Sequence, residues 1–153
     1  MGQPLRPGDK APDFTLNDQD GNAVTLSKIL GNKIIVLYFY PKDFSLGCTA
    51  EACAFRDSYQ VFSEKGTEVI GVSADSMESH RRFRQEHRLP FTLLTDPGWK
   101  TAESYGVKRT LGIIPGRVSF IIDRQGVIRH IFSSQFRAVL HTAEALRVLE
   151  EIK

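Results

Sequence analysis

The chain is poor in cysteine: Cys48 and Cys53 are the only two in 153 residues. That excludes the multi-disulfide scaffold of a small secreted domain, which needs several bridges. Cys-x-x-Cys spacing is also missing, so the usual thioredoxin-type dithiol motif is absent. With no histidine close to either in the sequence, the two thiols do not make a zinc site. Long apolar runs are lacking too. Nothing approaches the ~20 residues of a membrane span, and Met-Gly-Gln-Pro-Leu-Arg-Pro-Gly at the start has no signal-peptide core. The net charge of +2 is too small to argue for nucleic acid or a membrane surface. No repeat, linker or low-complexity run interrupts the chain. The expectation is one domain over 1–153, in a reducing compartment, with cytoplasm as the default. A processed organellar protein would read the same.

What is present concentrates between Tyr38 and Asp57. Ile34 to Tyr40 is an unbroken apolar and aromatic run, as in a central strand buried on both faces. Pro41 has no N–H for the ladder and stops it. A short polar loop follows, then a helix expected from Gly47 to Lys65, with Gly66 as its stop. Ala52, Phe55, Tyr59 and Phe62 recur at helical spacing and form its inner face. Such a strand–loop–helix lifts Cys48 to the C-terminal end of a sheet, where open α/β folds place their chemistry.

At a helix N-terminus, unpaired N–H groups and the macrodipole favour a thiolate, so the Cys48 pKa is expected to fall. The plainer reading makes Cys48 a small core residue. Gly47 and Thr49 as neighbours argue against deep apolar burial. Ser45, three residues earlier, can reach the sulfur or cap the helix. Cys48 and Cys53 stand five apart. In an intact helix their Cα atoms are roughly 8–9 Å apart, beyond the ~7 Å a disulfide tolerates. Bonding them requires the first turns to unwind, which suits a transient bridge better than a structural one.

These residues carry a resemblance. Pro41-x-x-x-Ser45-x-x-Cys48 resembles the peroxiredoxin signature Pro-x-x-x-Thr/Ser-x-x-Cys. The longer Tyr-Phe-Tyr-Pro-Lys-Asp…Gly-Cys-Thr-x-Glu-Ala-Cys-x-Phe-Arg-Asp is similar to the peroxiredoxin Q / bacterioferritin comigratory protein subgroup. The pattern Gly8-x-x-Ala11-Pro12-x-Phe14 and the stretch Leu-Leu-x-Asp-Pro-Gly…Tyr-Gly-Val resemble the same family. Leu46 departs from it, standing where many members have Pro. The resemblance implies a thioredoxin-like α/β fold, a mixed central sheet flanked by helices with an added N-terminal β-hairpin. It implies a thiol-dependent peroxidase in which Cys48 is oxidised by hydrogen peroxide or an organic hydroperoxide. Cys53 then resolves the sulfenic acid as an intramolecular disulfide, and thioredoxin or a similar dithiol recycles it. Arg117, in Gly-Arg-x-x-Phe, matches the arginine that completes the family's site. Ser45 would hydrogen-bond thiolate and peroxide, and Pro41 would shield the sulfur. No metal, flavin or haem is called for, and members of the subgroup are often monomers. Glu51 either binds Arg117 or caps the helix, and the cap ranks first because acids suit a first turn.

The remaining segments complete the expected fold. Ala11–Leu16 and Ala23–Leu26 flank an Asp20-Gly21 turn as a hairpin, and Ser27 caps a turn at 28–30. Strands are expected at 68–72, 91–94, 118–122 and 127–132, the last two joined by a tight turn at 123–126. A helix over 76–87 starts with Asp75 and Glu78 as a capping box. It carries His80, Arg81, Arg82, Arg84, His87 and Arg88, read as a solvated face with Met77 and Phe83 inward. No third ligand to His80 and His87 is evident, so a metal is not expected. The segment 107–116 is expected to line the mouth of the site. The last helix, over 137–152, presents Val139, Ala143, Leu146 and Leu149 on its inner face. Two rival functions use the same cysteines: a general thiol–disulfide oxidoreductase and a non-catalytic redox switch. A third, a nucleic-acid-binding module on the Arg81–Arg88 helix, is disfavoured for want of interleaved aromatics.

Overall fold

The computed structural model describes residues 5–107, 116–134 and 137–152. Within them the strands are β1 (Thr15–Asp18), β2 (Ala23–Thr25), β3 (Ile34–Phe39), β4 (Thr67–Ser73), β5 (Thr92–Thr95), β6 (Val118–Ile122) and β7 (Ile128–Ser133). The helices are α1 (Leu26–Ile29), α2 (Leu46–Asp57), α3 (Tyr59–Glu64), α4 (Met77–Glu86), α5 (Lys100–Ser104) and α6 (Leu140–Leu149). All seven strands form one sheet in the order β2-β1-β5-β4-β3-β6-β7. The three central strands β5, β4 and β3 run parallel. The β1–β2 hairpin adds to one edge and the β6–β7 hairpin to the other, both antiparallel, so the sheet is mixed as expected.

Every residue of β3 is buried, because both faces of this strand are covered. Val36 and Tyr38 pack with Ala52, Phe55, Phe62, Phe83 and Val148, under α2, α3, α4 and α6. Ile35, Leu37 and Phe39 face the other way, toward Phe14, Leu26, Trp99 and Tyr105. The alternation is the period-2 geometry of a strand applied to a uniformly apolar sequence. Among the described residues no helix is long and apolar enough to cross a membrane.

Several details differ from the sequence reading. The helix expected over 47–65 is two: the backbone at Ser58 turns to φ −102°, ψ 6°, and α3 starts afresh. The cap of α4 is Ser76, whose hydroxyl accepts from the Ser79 N–H at 3.1 Å. Asp75, expected in that role, accepts from the Asp43 N–H and the Ser73 hydroxyl instead. Ser27 caps nothing; its N–H donates to Asp13, and α1 starts at Leu26. Met77 faces solvent, and His80 takes the inward position beside Phe83. The inner face of α6 is also rotated: Val139 and Ala143 are exposed, while His141, Thr142, Ala145, Val148 and Leu149 are buried. Two polar side chains sit in the buried stripe, which displaced the apolar count. Most of 107–116, the proposed mouth segment, lies outside the described residues.

Gly71 of β4 sits under the Tyr38 ring. A Cβ there would come within 2.9 Å of the ring and 3.0 Å of Leu93. Because both neighbours are fully packed, Gly71→Ala is expected to destabilise by about 1–3 kcal/mol in urea unfolding; an unchanged midpoint would mean the Tyr38 ring has room to move.

Candidate active site

The sheet's hydrogen-bond register assembles the site. Phe39, the last residue of β3, pairs with Val118, the first of β6. Arg117, one residue before Val118, therefore stands beside Tyr40 at the C-terminal end of the central strand. Arg117, Ser119 and Ile121 alternate onto the face covered by α2 and α6. Pro41 follows, half-buried, and the chain crosses to α2. Cys48 is the third residue of that helix and is 1 % exposed.

Arg117 Nη1 donates to Cys48 Sγ at 3.3 Å and to Glu51 Oε1 at 2.6 Å. Gly47 makes room for it: a Cβ there would lie 3.0 Å from Nη2. Glu51 is thus the guanidinium's partner, fully buried, and not the helix-capping acid that the sequence reading ranked first. Its other oxygen, Oε2, has no hydrogen-bond partner among the described residues. It faces His141 Nδ1 at 3.7 Å. His141 Nε2 lies 3.0 Å from the Ser134 carbonyl, which only accepts, so Nε2 bears a proton. In the neutral ring Nδ1 then accepts the Ser119 hydroxyl at 2.6 Å. Sequence reasoning passed over His141, because nothing in an amphipathic helix marks one buried imidazole.

Ser45 is the N-cap residue of α2, with extended backbone, but its side chain makes no cap bond. Its hydroxyl donates to the Lys42 carbonyl at 2.9 Å, and it lies near enough to the Cys48 sulfur to favour the thiolate. Leu46 is 93 % exposed. Cys53 is half-buried on the same intact helix, and both thiols are unpaired. Ser45, Cys48 and Arg117 are therefore brought together, and Cys53 is held apart from Cys48 by the helix itself.

The expected drop in the Cys48 pKa is not what the closed site produces. Burial pushes the thiol above its usual value, against the pull of Arg117, Ser45 and the Lys42 backbone. The thiol is also buried deeply, contrary to the reading from Gly47 and Thr49. Burial likewise lifts Glu51 to about 8 despite Arg117, and holds His141 down at about 4. One cation thus faces two acids that compete for it. When Glu51 holds the proton, the guanidinium's charge is left to the sulfur, so the two acids titrate as a coupled pair.

A second buried cluster braces the loop before α2. Asp43 Oδ1 accepts from the Tyr40 hydroxyl at 2.6 Å, and Oδ2 accepts from the Ser79 hydroxyl at 2.8 Å. Oδ2 also lies 2.7 Å from His80 Nδ1, while His80 Nε2 meets the Leu94 carbonyl at 2.9 Å. The Asp43 N–H donates to Asp75 at 2.8 Å. Asp43, Asp75 and His80 place ligand-type atoms within 4.8 Å of one another, so His80 has acidic neighbours that the sequence reading did not find. Both its nitrogens are taken by these hydrogen bonds. His80 is fully buried, which corrects its assignment to a solvated face. Arg81 and Arg82 are exposed.

With this geometry described, known proteins can be compared. A profile of the AhpC/TSA family matches residues 7–131. A chloroplastic peroxiredoxin Q of Oryza sativa subsp. japonica is 48% identical over 146 residues, which is 95% of this chain and 67% of the relative. The chain thus spans about two thirds of that relative's length. Among solved structures, peroxidoxin BcpB of Mycobacterium tuberculosis superposes with a TM-score of 0.90 at 36% identity, over 97% of this chain and 99% of that one. Peroxiredoxin Q of Xanthomonas campestris gives 0.84 at 26% identity, over 91% and 90%.

The buried acid and imidazole have opposite effects on stability. Glu51 goes from 4.5 to about 8 on folding, so the native state binds the extra proton, and stability falls as pH rises through that window. His141 goes from 6.5 to about 4, so stability falls as pH drops from 6.5 to 4. The two slopes oppose each other below 6.5 and Glu51 acts alone above it. Unfolding free energy is expected to decline between pH 6.5 and 8 in the wild type and to flatten in Glu51→Gln; an unaltered slope would remove Glu51 as the cause.

Proposed function

The chain belongs to the AhpC/TSA family, and on that premise we propose that it is a thiol-dependent peroxidase with Cys48 as the attacking residue. The observation that carries the reading is the Arg117 guanidinium on the Cys48 sulfur, at the first turn of a helix that also bears Cys53. A permanent cation there favours the thiolate, and its fork of donors suits the two oxygens of a hydroperoxide.

The Cys48 thiolate attacks the terminal peroxide oxygen. An S–O bond forms, the O–O bond breaks, and the leaving oxygen departs as an alkoxide or hydroxide that takes up a proton. Cys48 becomes a sulfenic acid. Charge develops on the leaving oxygen, within reach of Arg117. The first turns of α2 then unwind, because an intact helix keeps the two Cα atoms roughly 8–9 Å apart. The Cys53 thiol gives up its proton and attacks the Cys48 sulfur, an S–S bond replaces the S–O bond, and the departing hydroxide takes up a proton and leaves as water. An external dithiol, thioredoxin or a protein like it, reduces the disulfide and is itself oxidised. Ser45 orients the sulfur and the incoming oxygen, and Pro41 shields the pocket from bulk water. A reducing compartment, the cytoplasm by default, suits two thiols held apart on one helix.

Intact mass under non-reducing conditions, with alkylation, tests this after one equivalent of H₂O₂. Loss of two hydrogens together with both alkylation sites is expected. Two thiols still open to alkylation would sink the assignment. Cys53→Ser is expected to consume one equivalent of peroxide rapidly and then stall in a thioredoxin-coupled assay, so steady turnover would assign resolution to another thiol. Arg117→Met is expected to slow the peroxide step by about 10²–10³-fold, the usual loss for a donor aimed at developing charge.

A further inference from the structure

Helix α4 reaches the loop before α2 through the buried imidazole of His80, the Ser79 hydroxyl and the Phe83 ring. Among the described residues no hydrogen bond joins His80 to Cys48, and the route between them runs through Asp43. The Asp43 carboxylate receives the Tyr40 hydroxyl, the Ser79 hydroxyl and His80, and its N–H is held by Asp75. Asp75 is in turn fixed by the Ser73 hydroxyl at the end of β4. The preceding residue, Lys42, offers the carbonyl that accepts the Ser45 hydroxyl. The following residue, Phe44, has φ +67°, a left-handed backbone that is strained for a non-glycine residue. Its ring rests edge-on against Phe83 of α4, with centroids 5.1 Å apart.

The loop is therefore bent into a conformation it would not adopt alone, and α4 holds it there. Polar residues buried in a tight network rigidify what they join. Two bonds from α4 end on Asp43 Oδ2, from the Ser79 hydroxyl at 2.8 Å and from His80 Nδ1 at 2.7 Å, and the His80 bond is the fully buried one.

We propose that His80 is a positioning residue for Cys48: through Asp43 it fixes the Lys42 carbonyl and the Ser45 hydroxyl hung from it, and so sets the surroundings of the sulfur. Ser45 is the N-cap residue of the helix that carries Cys48, so loosening the loop also loosens the first turn that seats the sulfur. The inference rests on the peroxidase reading for its consequence, but not for its geometry.

The two nitrogens of His80 can be separated by substitution. An asparagine amide overlays Nδ1 and keeps a donor for Asp43. A glutamine amide overlays Nε2 and keeps only the bond to the Leu94 carbonyl. Both variants are made in a Cys53→Ser background, so that Cys48 is the sole thiol. Three quantities are read well below the melting temperature: the rate with H₂O₂, the rate with iodoacetamide, and the pH profile of thiolate absorbance. His80→Asn is expected to stay within about threefold of the parent and His80→Gln to slow by about tenfold or more, with its thiolate profile moved to higher pH, as the loss of one charge-assisted hydrogen bond warrants. Equal rates in both variants, losses that track melting temperature alone, or the reverse order would overturn the inference. A parent protein inert to peroxide would sink the peroxidase reading alone, since the order of the iodoacetamide rates still decides the role of His80.

Discussion

A single guanidinium, shut away from water between a thiol and a carboxyl group, sets the terms for everything around it. Burying a cation is costly unless it is paired and hydrogen-bonded. Arg117 has Cys48 and Glu51 against one nitrogen. The antiparallel pairing of β3 with β6 delivers it there, Gly47 lets it approach α2, and α6 closes the space behind it with His141. Removing any of these would leave a buried charge or an unfilled space. In the proposed cycle the balance shifts by itself. Once the sulfur is oxidised to a neutral sulfenic acid, it gives up its claim on the cation, and Glu51 keeps its own.

The parts of this arrangement that were legible in the sequence are those whose position along the chain is itself the signal. Pro41, Ser45, Cys48 and Cys53 lie within one strand–loop–helix, and the apolar run of β3 announces the strand that carries it. Arg117 is far away in sequence, and as a lone arginine it meant little without the resemblance. The strand pairing then explains its place. Glu51 was ranked as a cap because an acid suits a helix's first turn. His80 and His141 were misread or passed over because each is a polar residue on an amphipathic helix, and a periodic pattern sends polar residues to the solvent side. All three are inside. The apolar register of α6 was drawn toward Val139 and Ala143 because the true buried stripe is interrupted by His141 and Thr142.

These two histidines do similar work in the architecture. His80 and His141 each sit in the buried stripe of a helix and accept or donate across to a different element: His80 to the loop after β3 and to β5, His141 to β6 and the chain after β7. Apolar contacts alone would let the helices slide on the sheet at small cost. A buried hydrogen bond that must be made has only one register, so these imidazoles specify how α4 and α6 seat beside Cys48. The exposed charges of α4 need no partner to account for them once its inner face is known.

The interruption at Ser58 gives the helical layer a property that one continuous rod would lack. Helix melting is cooperative along an unbroken run of i to i−4 bonds, and it stops where the run stops. The twelve residues of α2 are one such cooperative unit, and α3 is another, anchored by Phe62 in the core. Fraying that starts at the exposed Leu46 can travel to Asp57 without reaching the residues that lead into β4. The reactive helix can open and close while the sheet beneath it keeps its fold.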